Sequence, residues 1–566
     1  MFNISRRSDD IPPRLVVEQL SGAMTILLLI SGPVLMLGAL TFFIFVPIAY
    51  DTIFLQDTMF FGDLGWRVLN GAKPTEDFGH FYGGVIEQYI AWAFQIFGTG
   101  VKSIDYAFVM MLATACALAA LVAWRRLSLF TVVALCMILF ASLLARVPLE
   151  ELTAVQRPAA THAFIYNRFA AALAVILTLF ALIPAQDRRI EWIAAFICGT
   201  FAYLIVLIKP TFVPFVPAFL AALALRERWQ SCSIAFLGLV AGLLILDPGA
   251  GRALAAFEYG VASAGGNTTI PNMMMKAAAV FFVQPLTMLS VFAVGAVLVF
   301  DRRTGTVQFV LAGLALTIGY AGMTATMGWH GDVGQQALPF MAALCLAGYE
   351  RSRNGADRLN DQSCYLRITA ACVVMAFSLP QLVQTCLSGA VAFSRAPLIQ
   401  MTGTPLDSYL AWSDEFVGAD LRPFKQPEPL EVHIQAAQAH IAAGRSGNAG
   451  VNYVMLIDAV TLLRSIPGIE NRRIAGDMSF FPFIMQAPPI NGFPAWLSLA
   501  SPELAEGKPL PEEIDLMMIR RVARPAITLL LLAKMEGRFI RCLGSAFWDL
   551  YVRNGTDAAF CGAIDG

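Results

Sequence analysis

The chain has 566 residues, of which 57% are hydrophobic and only 14% charged, with Phe alone occurring 41 times. Mean hydropathy is +0.65. A soluble domain carries roughly 25% charged residues, so a chain this apolar must leave much of its surface to lipid. The formal charge of −1 offers no basic excess for phosphate backbones and argues against nucleic acid as a partner.

A membrane-spanning helix needs about 20 mostly apolar residues, because hydrocarbon cannot satisfy an open backbone. About eleven such runs are expected, over 23–49, 104–124, 127–145, 169–185, 191–208, 211–225, 231–247, 277–300, 307–326, 335–349 and 368–393. The sixth and tenth are short. The first has too long an apolar stretch, and no small-residue cleavage pattern after it, to be a cleavable signal peptide. The expected class is a polytopic α-helical membrane protein with a C-terminal extracytoplasmic α/β domain.

Basic residues in short loops set the orientation. With Arg6, Arg7 and Arg14 in the cytoplasm, the inside turns carry Arg125-Arg126, Arg188-Arg189, Arg226 with Arg228, Arg302-Arg303, and Arg351, Arg353 and Arg358. An odd number of spans then places the chain beyond about residue 395 outside. The expected organisation is a transmembrane module over 1–395, interrupted by a first outer loop at 50–103, and an extracytoplasmic domain over 396–566.

In the tail, Asn452–Ile457 reads as a strand ending in Asp458, Pro488-Pro489 and Asn491-Gly492 mark loops, and Ala526–Ala533 is too short to span and reads as a buried helix turn. Cys542 and Cys561 both fall in this outer region and could pair if the compartment is oxidising. No CxxC pair or thiolate cluster suggests a structural zinc site.

The most informative stretch is 56–84, QDTMFFGDLGWRVLNGAKPTEDFGHFYGG. It gathers Asp57, Asp63, Glu76, Asp77 and His80 beside a membrane helix in a charge-poor chain. Asp57 and Asp63 are six apart, so on one helix they point about 120° from each other. Gly71 and Pro74 end that helix. One reading is a solvated loop whose acids cap helices and pair with Arg67 and Lys73. The other is a catalytic carboxylate at the water–lipid boundary, assisted by a second acid. Spacing alone does not choose between them.

The same residues resemble the C-type (GT-C) integral-membrane glycosyltransferases, in particular the branch with protein O-mannosyltransferases and the aminoarabinose transferase of lipid A. Members of that family begin with one span, followed by an outer loop with an Asp-Glu motif, an amphipathic helix and Gly-x-x-Pro before an aromatic segment. Here Asp57-Thr58 takes the Asp-Glu position. Gly71, Pro74, Asp77-Phe78 and Gly83-Gly84 take the later ones, and Phe97-Gly98 matches the end of the next helix. The match covers about the first hundred residues and is architectural thereafter. The second acid is Thr58, a departure from the pattern that bears on metal use and on activity.

The resemblance implies a polyprenyl-phosphate-linked sugar as donor and a glycan, lipid or protein as acceptor at the outer face. Asp57 is the expected base, with Asp63 and Asp77 as alternatives, and a divalent cation is a conceivable cofactor. A departing lipid phosphate needs cations, for which the outer loops offer Arg157, Arg168, Lys209, Arg252 and Lys276. A lone cation at a helix mouth is also a common snorkelling anchor. Tyr166 adjoins Arg168, while His80, His162 and His330 suit either a substrate contact or a wet loop. Trp66, Phe78, Phe81 and Tyr82 suit sugar stacking, or the ordinary aromatic belt of an interface.

Two other classes remain compatible with the sequence. One is a transporter or flippase, although no buried charge chain crosses the bilayer and no paired halves are evident. The other is a non-catalytic envelope scaffold. A bacterial inner membrane is the expected location, although Asn267-Thr268-Thr269 is a formal glycosylation acceptor.

Overall fold

A computed structural model of the chain describes residues 13–45, 49–51, 55–144, 162, 165–263, 306–325, 332–353, 361–394, 403–407, 410–412, 430–444, 449–495, 497, 501–505, 507–522, 524–556 and 561. Ten of the eleven expected apolar runs fall on helices: α1 (Pro13–Phe45), α4 (Val101–Ala123), α5 (Leu129–Leu144), α6 (Ile165–Leu182), α7 (Arg188–Ile208), α8 (Phe215–Leu225), α9 (Trp229–Leu246), α11 (Thr306–Ala325), α12 (Asp332–Arg353) and α13 (Asp361–Ser394). The remaining run, 277–300, lies outside the described residues, as do Lys276 and Asn267. Seven described helices are long and apolar enough to cross a membrane, while Leu129–Leu144 and Pro210–Leu225 are shorter apolar helices.

Small residues let these helices approach closely. Gly199 on α7 faces the backbone of Ala235 on α9, and Gly238 on α9 faces that of Phe196, with no room for a Cβ at either glycine. Such contacts suit a bundle in lipid, where dispersion and close approach hold helices together. Thr200 Oγ1 adds a hydrogen bond to the Gly238 carbonyl at 3.0 Å.

One end of the bundle collects the basic turns. Arg126 on the α4–α5 turn binds Glu191 of α7 at 2.9 Å, and Arg228 before α9 binds the same carboxylate. Glu350, near the end of α12, accepts from Ser128 N at 2.8 Å. Among the described residues, Arg126, Arg228 and Arg353 of those basic turns therefore gather at one end. At the other end lie two helices that do not span, α2 (Leu55–Leu69) and α3 (Val85–Phe97), followed in the chain by α10 (Gly251–Ser263) beyond α9. Gly71, at φ 87°, stops α2 as its position relative to Pro74 suggests.

The short strand β1 (Ala49–Asp51) pairs in parallel with β2 (Leu410–Trp412), tying the exit of α1 to the segment beyond α13. The C-terminal region adds α14 (Leu430–Ala442), α15 (Ala449–Arg464), α16 (Phe481–Met485) and α17 (Ala526–Met535). These accompany a four-stranded sheet of β3 (Ile474–Gly476), β4 (Leu516–Arg520), β5 (Phe539–Gly544) and β6 (Trp548–Arg553). Its order is β3-β4-β6-β5, parallel at β3–β4 and antiparallel elsewhere. Ala526–Ala533 lies in a helix too short to span, but it is buried on one face only, through Thr528 and Leu531, with Leu529 on the exposed face; Cys542 on β5 is disulfide-bonded to Cys561.

The expected strand at Asn452–Ile457 is corrected: these residues lie inside helix α15. The helix is buried almost all round from Val451 to Val460, which removes the polar stripe that reveals a helical period and leaves a short apolar run. Asp458 then holds the β5–β6 turn, accepting from Ser545 Oγ at 2.6 Å and Phe547 N at 2.9 Å. Trp548, wholly buried, donates from Nε1 to Met455 O at 2.7 Å.

Candidate active site

Asp57 lies in the first turn of α2 and keeps partial exposure. A helix N-terminus favours a carboxylate there. Its neighbour Thr58 is buried, with Oγ1 2.8 Å from His162 Nδ1, and His162 Nε2 lies 3.0 Å from Asp105 Oδ1 on α4. Lys102, one turn earlier on α4, brings Nζ to 3.6 Å from Asp105 Oδ2 and donates to the Phe43 carbonyl at 2.6 Å.

The aromatic stretch after α2 packs onto the last turn of α7. Gly83 N donates to Leu207 O at 3.0 Å, and a side chain at Gly83 would run into that same backbone. The Tyr82 ring lies 4.7 Å from that of Tyr166 on α6, and Lys209 Nζ lies 5.4 Å from the Tyr166 ring and 5.5 Å from that of Phe212. Burial lifts the Tyr82 phenol well above its ordinary value, with Tyr166, Asp57 and Glu87 adding to the effect. Desolvation beside these rings lowers the Lys209 ammonium to about 8. The loop thus packs Tyr82 against Tyr166 beside the Lys209 ammonium, and the charge of Asp57 acts on the Tyr82 phenol. Arg168, two residues beyond Tyr166, is buried.

The alternative acids are engaged elsewhere. Asp63 is fully buried and accepts from Arg67 Nε at 2.7 Å; burial raises its carboxyl despite that guanidinium. Asp77 closes its own turn by accepting from Lys73 N at 2.7 Å, and its carbonyl accepts from Gly492 N at 2.6 Å. Lys73 also meets Glu76 at 3.1 Å. The capping and pairing expected of a plain loop therefore describes Asp63, Asp77 and Glu76.

His80 accepts from Tyr82 N at Nδ1 (3.0 Å), which leaves its hydrogen on Nε2, 3.2 Å from Glu87 Oε1. Burial drops His80 to about 3 and lifts Glu87 to about 7. Between those values both groups are uncharged, so the close approach is not an ion pair. Arg157 and His330 lie outside the described residues.

The C-terminal domain docks on the same loop. Arg67 Nη1 donates to the carbonyls of Ile490 and Phe493, both at 3.1 Å, and Trp66 Nε1 donates to Ala487 O at 2.8 Å. Phe483 stacks on Phe94 with centroids 5.7 Å apart and fills the space left by Gly62. Trp66, a candidate for sugar stacking, is thus committed to a backbone contact.

Asp105 and Glu87 escaped the sequence reading. Asp105 carried a signal, since an acid four residues into a long apolar helix marks a site to test for function. Glu87 had none beyond its place in an amphipathic stretch. Among the described residues, no group of three or more His, Cys, Asp and Glu side chains is placed to hold a metal ion.

No protein-family model matches the chain. No curated protein matches it either. Among solved structures it is similar to one described as the crystal structure of ArnT from Cupriavidus metallidurans bound to undecaprenyl phosphate, at 11% identity and a TM-score of 0.41, over 94% of this chain and 98% of that one.

Proposed function

We propose that this membrane protein is a glycosyltransferase of the GT-C kind, which moves a sugar from a polyprenyl-phosphate donor to an envelope acceptor at the outer face. The supporting observation is the partly exposed Asp57 carboxylate, whose charge acts on the Tyr82 phenol, with the Lys209 ammonium 5.4 Å from the Tyr166 ring that packs against Tyr82. The loop motif around Asp57-Thr58 supports the same reading independently of the geometry.

In this reading Asp57 takes the proton of an acceptor hydroxyl as its oxygen attacks the anomeric carbon. The bond from that carbon to the phosphate oxygen breaks, and its electron pair leaves with the lipid phosphate. Lys209 and Arg168 stabilise the developing negative charge, an effect strengthened where water is scarce. Tyr166 shapes the wall beside Lys209. Asp63 and Asp77 hold the loop rather than exchange protons, and His80 supports the Tyr82 backbone. Arg157 and His330 are proposed as further contacts to phosphate or acceptor.

The proposed organisation is a transmembrane module over 1–395 and an extracytoplasmic domain over 396–566, which limits acceptor access to the loop. The proposed setting is a bacterial inner membrane with the N-terminus in the cytoplasm. The test is mass spectrometry of envelope glycans from a strain lacking the protein, complemented with wild type or with Asp57→Asn. Loss of a sugar mass that only wild type restores, at equal protein levels, supports the reading. Restoration by Asp57→Asn refutes it.

A further inference from the structure

We propose that Asp105, His162 and Thr58 form a hydrogen-bonded chain that positions the Asp57 carboxylate, with Asp105 and His162 as positioning residues; this rests on the reading of Asp57 as the base. The three groups come from α4, from the residue stretch entering α6, and from α2. Thr58 is 1%, His162 1% and Asp105 0% exposed. A carboxylate and an imidazole buried at the end of a membrane bundle are costly unless their polar atoms are satisfied. Here the links measure 2.8 Å and 3.0 Å.

The chain has a direction. We assign the direction with Asp105 ionised, as the Lys102 ammonium beside it favours, and with His162 neutral: the imidazole hydrogen then sits on Nε2 towards Asp105, Nδ1 accepts, and the hydroxyl of Thr58 donates to it. Lys102, 3.6 Å from the other oxygen of Asp105, compensates the carboxylate charge and carries the connection to the Phe43 carbonyl on α1. The hydroxyl hydrogen of Thr58 is thereby committed to His162 and not to the adjacent carboxylate of Asp57. That commitment matters for a base, because a hydroxyl donating to a carboxylate stabilises its charged form and weakens it as a proton acceptor.

Trp66 and Arg67 hold the C-terminal half of α2 by directed bonds to Ala487, Ile490 and Phe493, and the bond at Thr58 adds a directed contact at its first turn, beside Asp57. Successive helical residues are 100° apart, so holding Thr58 against His162 sets where Asp57 points. His162 lies four residues before Tyr166 in the sequence, so the contact that orients the base also joins it to the wall beside Lys209. Where the resembling family carries a second acid beside the first, this chain carries a hydroxyl tied through an imidazole to an acid on another helix.

The test uses the full-length protein in nanodiscs, with polyprenyl-phosphate sugars extracted from its source membranes as donor and release of free polyprenyl phosphate as the readout. Undecaprenyl phosphate serves as a separate binding probe. Thr58→Val is expected to lower kcat by about 10- to 100-fold with unchanged affinity for undecaprenyl phosphate. Thr58→Ser restores most of the rate. Asp105→Asn lowers kcat on its own and adds little to Thr58→Val, as members of one chain should. A wild-type rate in Thr58→Val, equal losses in Thr58→Val and Thr58→Ser, or multiplying losses in the double variant would each overturn the chain. Asp57→Asn separates the two levels: if it is inactive while Thr58→Val is normal, only the chain fails, and if it is fully active, the base assignment fails too.

Discussion

Arg67 leaves α2 to reach the C-terminal domain, where its Nη1 lies 3.1 Å from the carbonyl oxygen of Ile490. The same guanidinium holds Asp63 at 2.7 Å and lies over the Phe78 ring at 5.2 Å. One buried side chain therefore ties the helix of the proposed base, the aromatic loop and the C-terminal domain together. Removing one partner of a buried pair leaves the other charge without compensation, at a cost of about 3–5 kcal/mol. Arg67→Ala is expected to undock the C-terminal domain. Limited proteolysis checks this, with accelerated cleavage in the variant and wild-type resistance in Lys73→Ala, whose ion pair is exposed.

The His80–Glu87 pair makes stability depend on pH in two opposing ways. Glu87 is raised from its ordinary 4.5 to about 7, so its contribution is complete below 4.5 and lost as pH climbs towards 7. His80 is lowered from 6.5 to about 3, so its contribution is complete above 6.5 and lost as pH falls towards 3. The pair is best accommodated between pH 5 and 6, where both groups are close to neutral. Glu87→Gln removes the alkaline loss and is expected to raise Tm at pH 8 by roughly 5 °C, with little change at pH 5. Thermal melts in detergent at the two pH values measure this.

Lys209 is half-buried beside two rings and lowered to about 8. Its protonated form is the one that attracts phosphate. Affinity of the wild type for undecaprenyl phosphate is therefore expected to weaken as pH rises through about 8. Lys209→Met should bind about tenfold more weakly at pH 7, the loss of one charge-assisted contact, and should show no such decline. Titration by fluorescence quenching or calorimetry at several pH values checks both effects.

Cys542 and Cys561 close a loop of sequence separation 19 at the edge strand of the sheet. A cross-link over that length stabilises by about 3 kcal/mol on the chain-entropy account. Protein purified without reductant should leave both cysteines unlabelled by iodoacetamide, and Cys542→Ser should melt the C-terminal domain earlier. Labelling of both residues in unreduced protein would place this region in a reducing compartment.

Much of this architecture was legible from sequence because hydrocarbon imposes a simple rule. Runs such as 191–208 must be helical and long, so α7 and its neighbours fell where hydropathy put them. The loop helix was legible through Gly71 and Pro74, and the pairing of Asp63 with Arg67 through their one-turn spacing. Helix α15 was not legible, since burial on all sides erased its period. Nor was the link from Thr58 to His162 and Asp105, which spans 104 and 57 positions and leaves no local pattern. The docking of Phe483 against Gly62 is equally invisible along the chain, because only the folded structure shows what the missing side chain admits.

The proposed reaction depends on Asp57 more than on any other group. Its most direct test is the release of free polyprenyl phosphate by purified Asp57→Asn in nanodiscs, supplied with polyprenyl-phosphate sugars and acceptor from its source membranes. The expected rate is at least about 10²-fold below wild type, with unchanged binding of undecaprenyl phosphate. Release at the wild-type rate would contradict it.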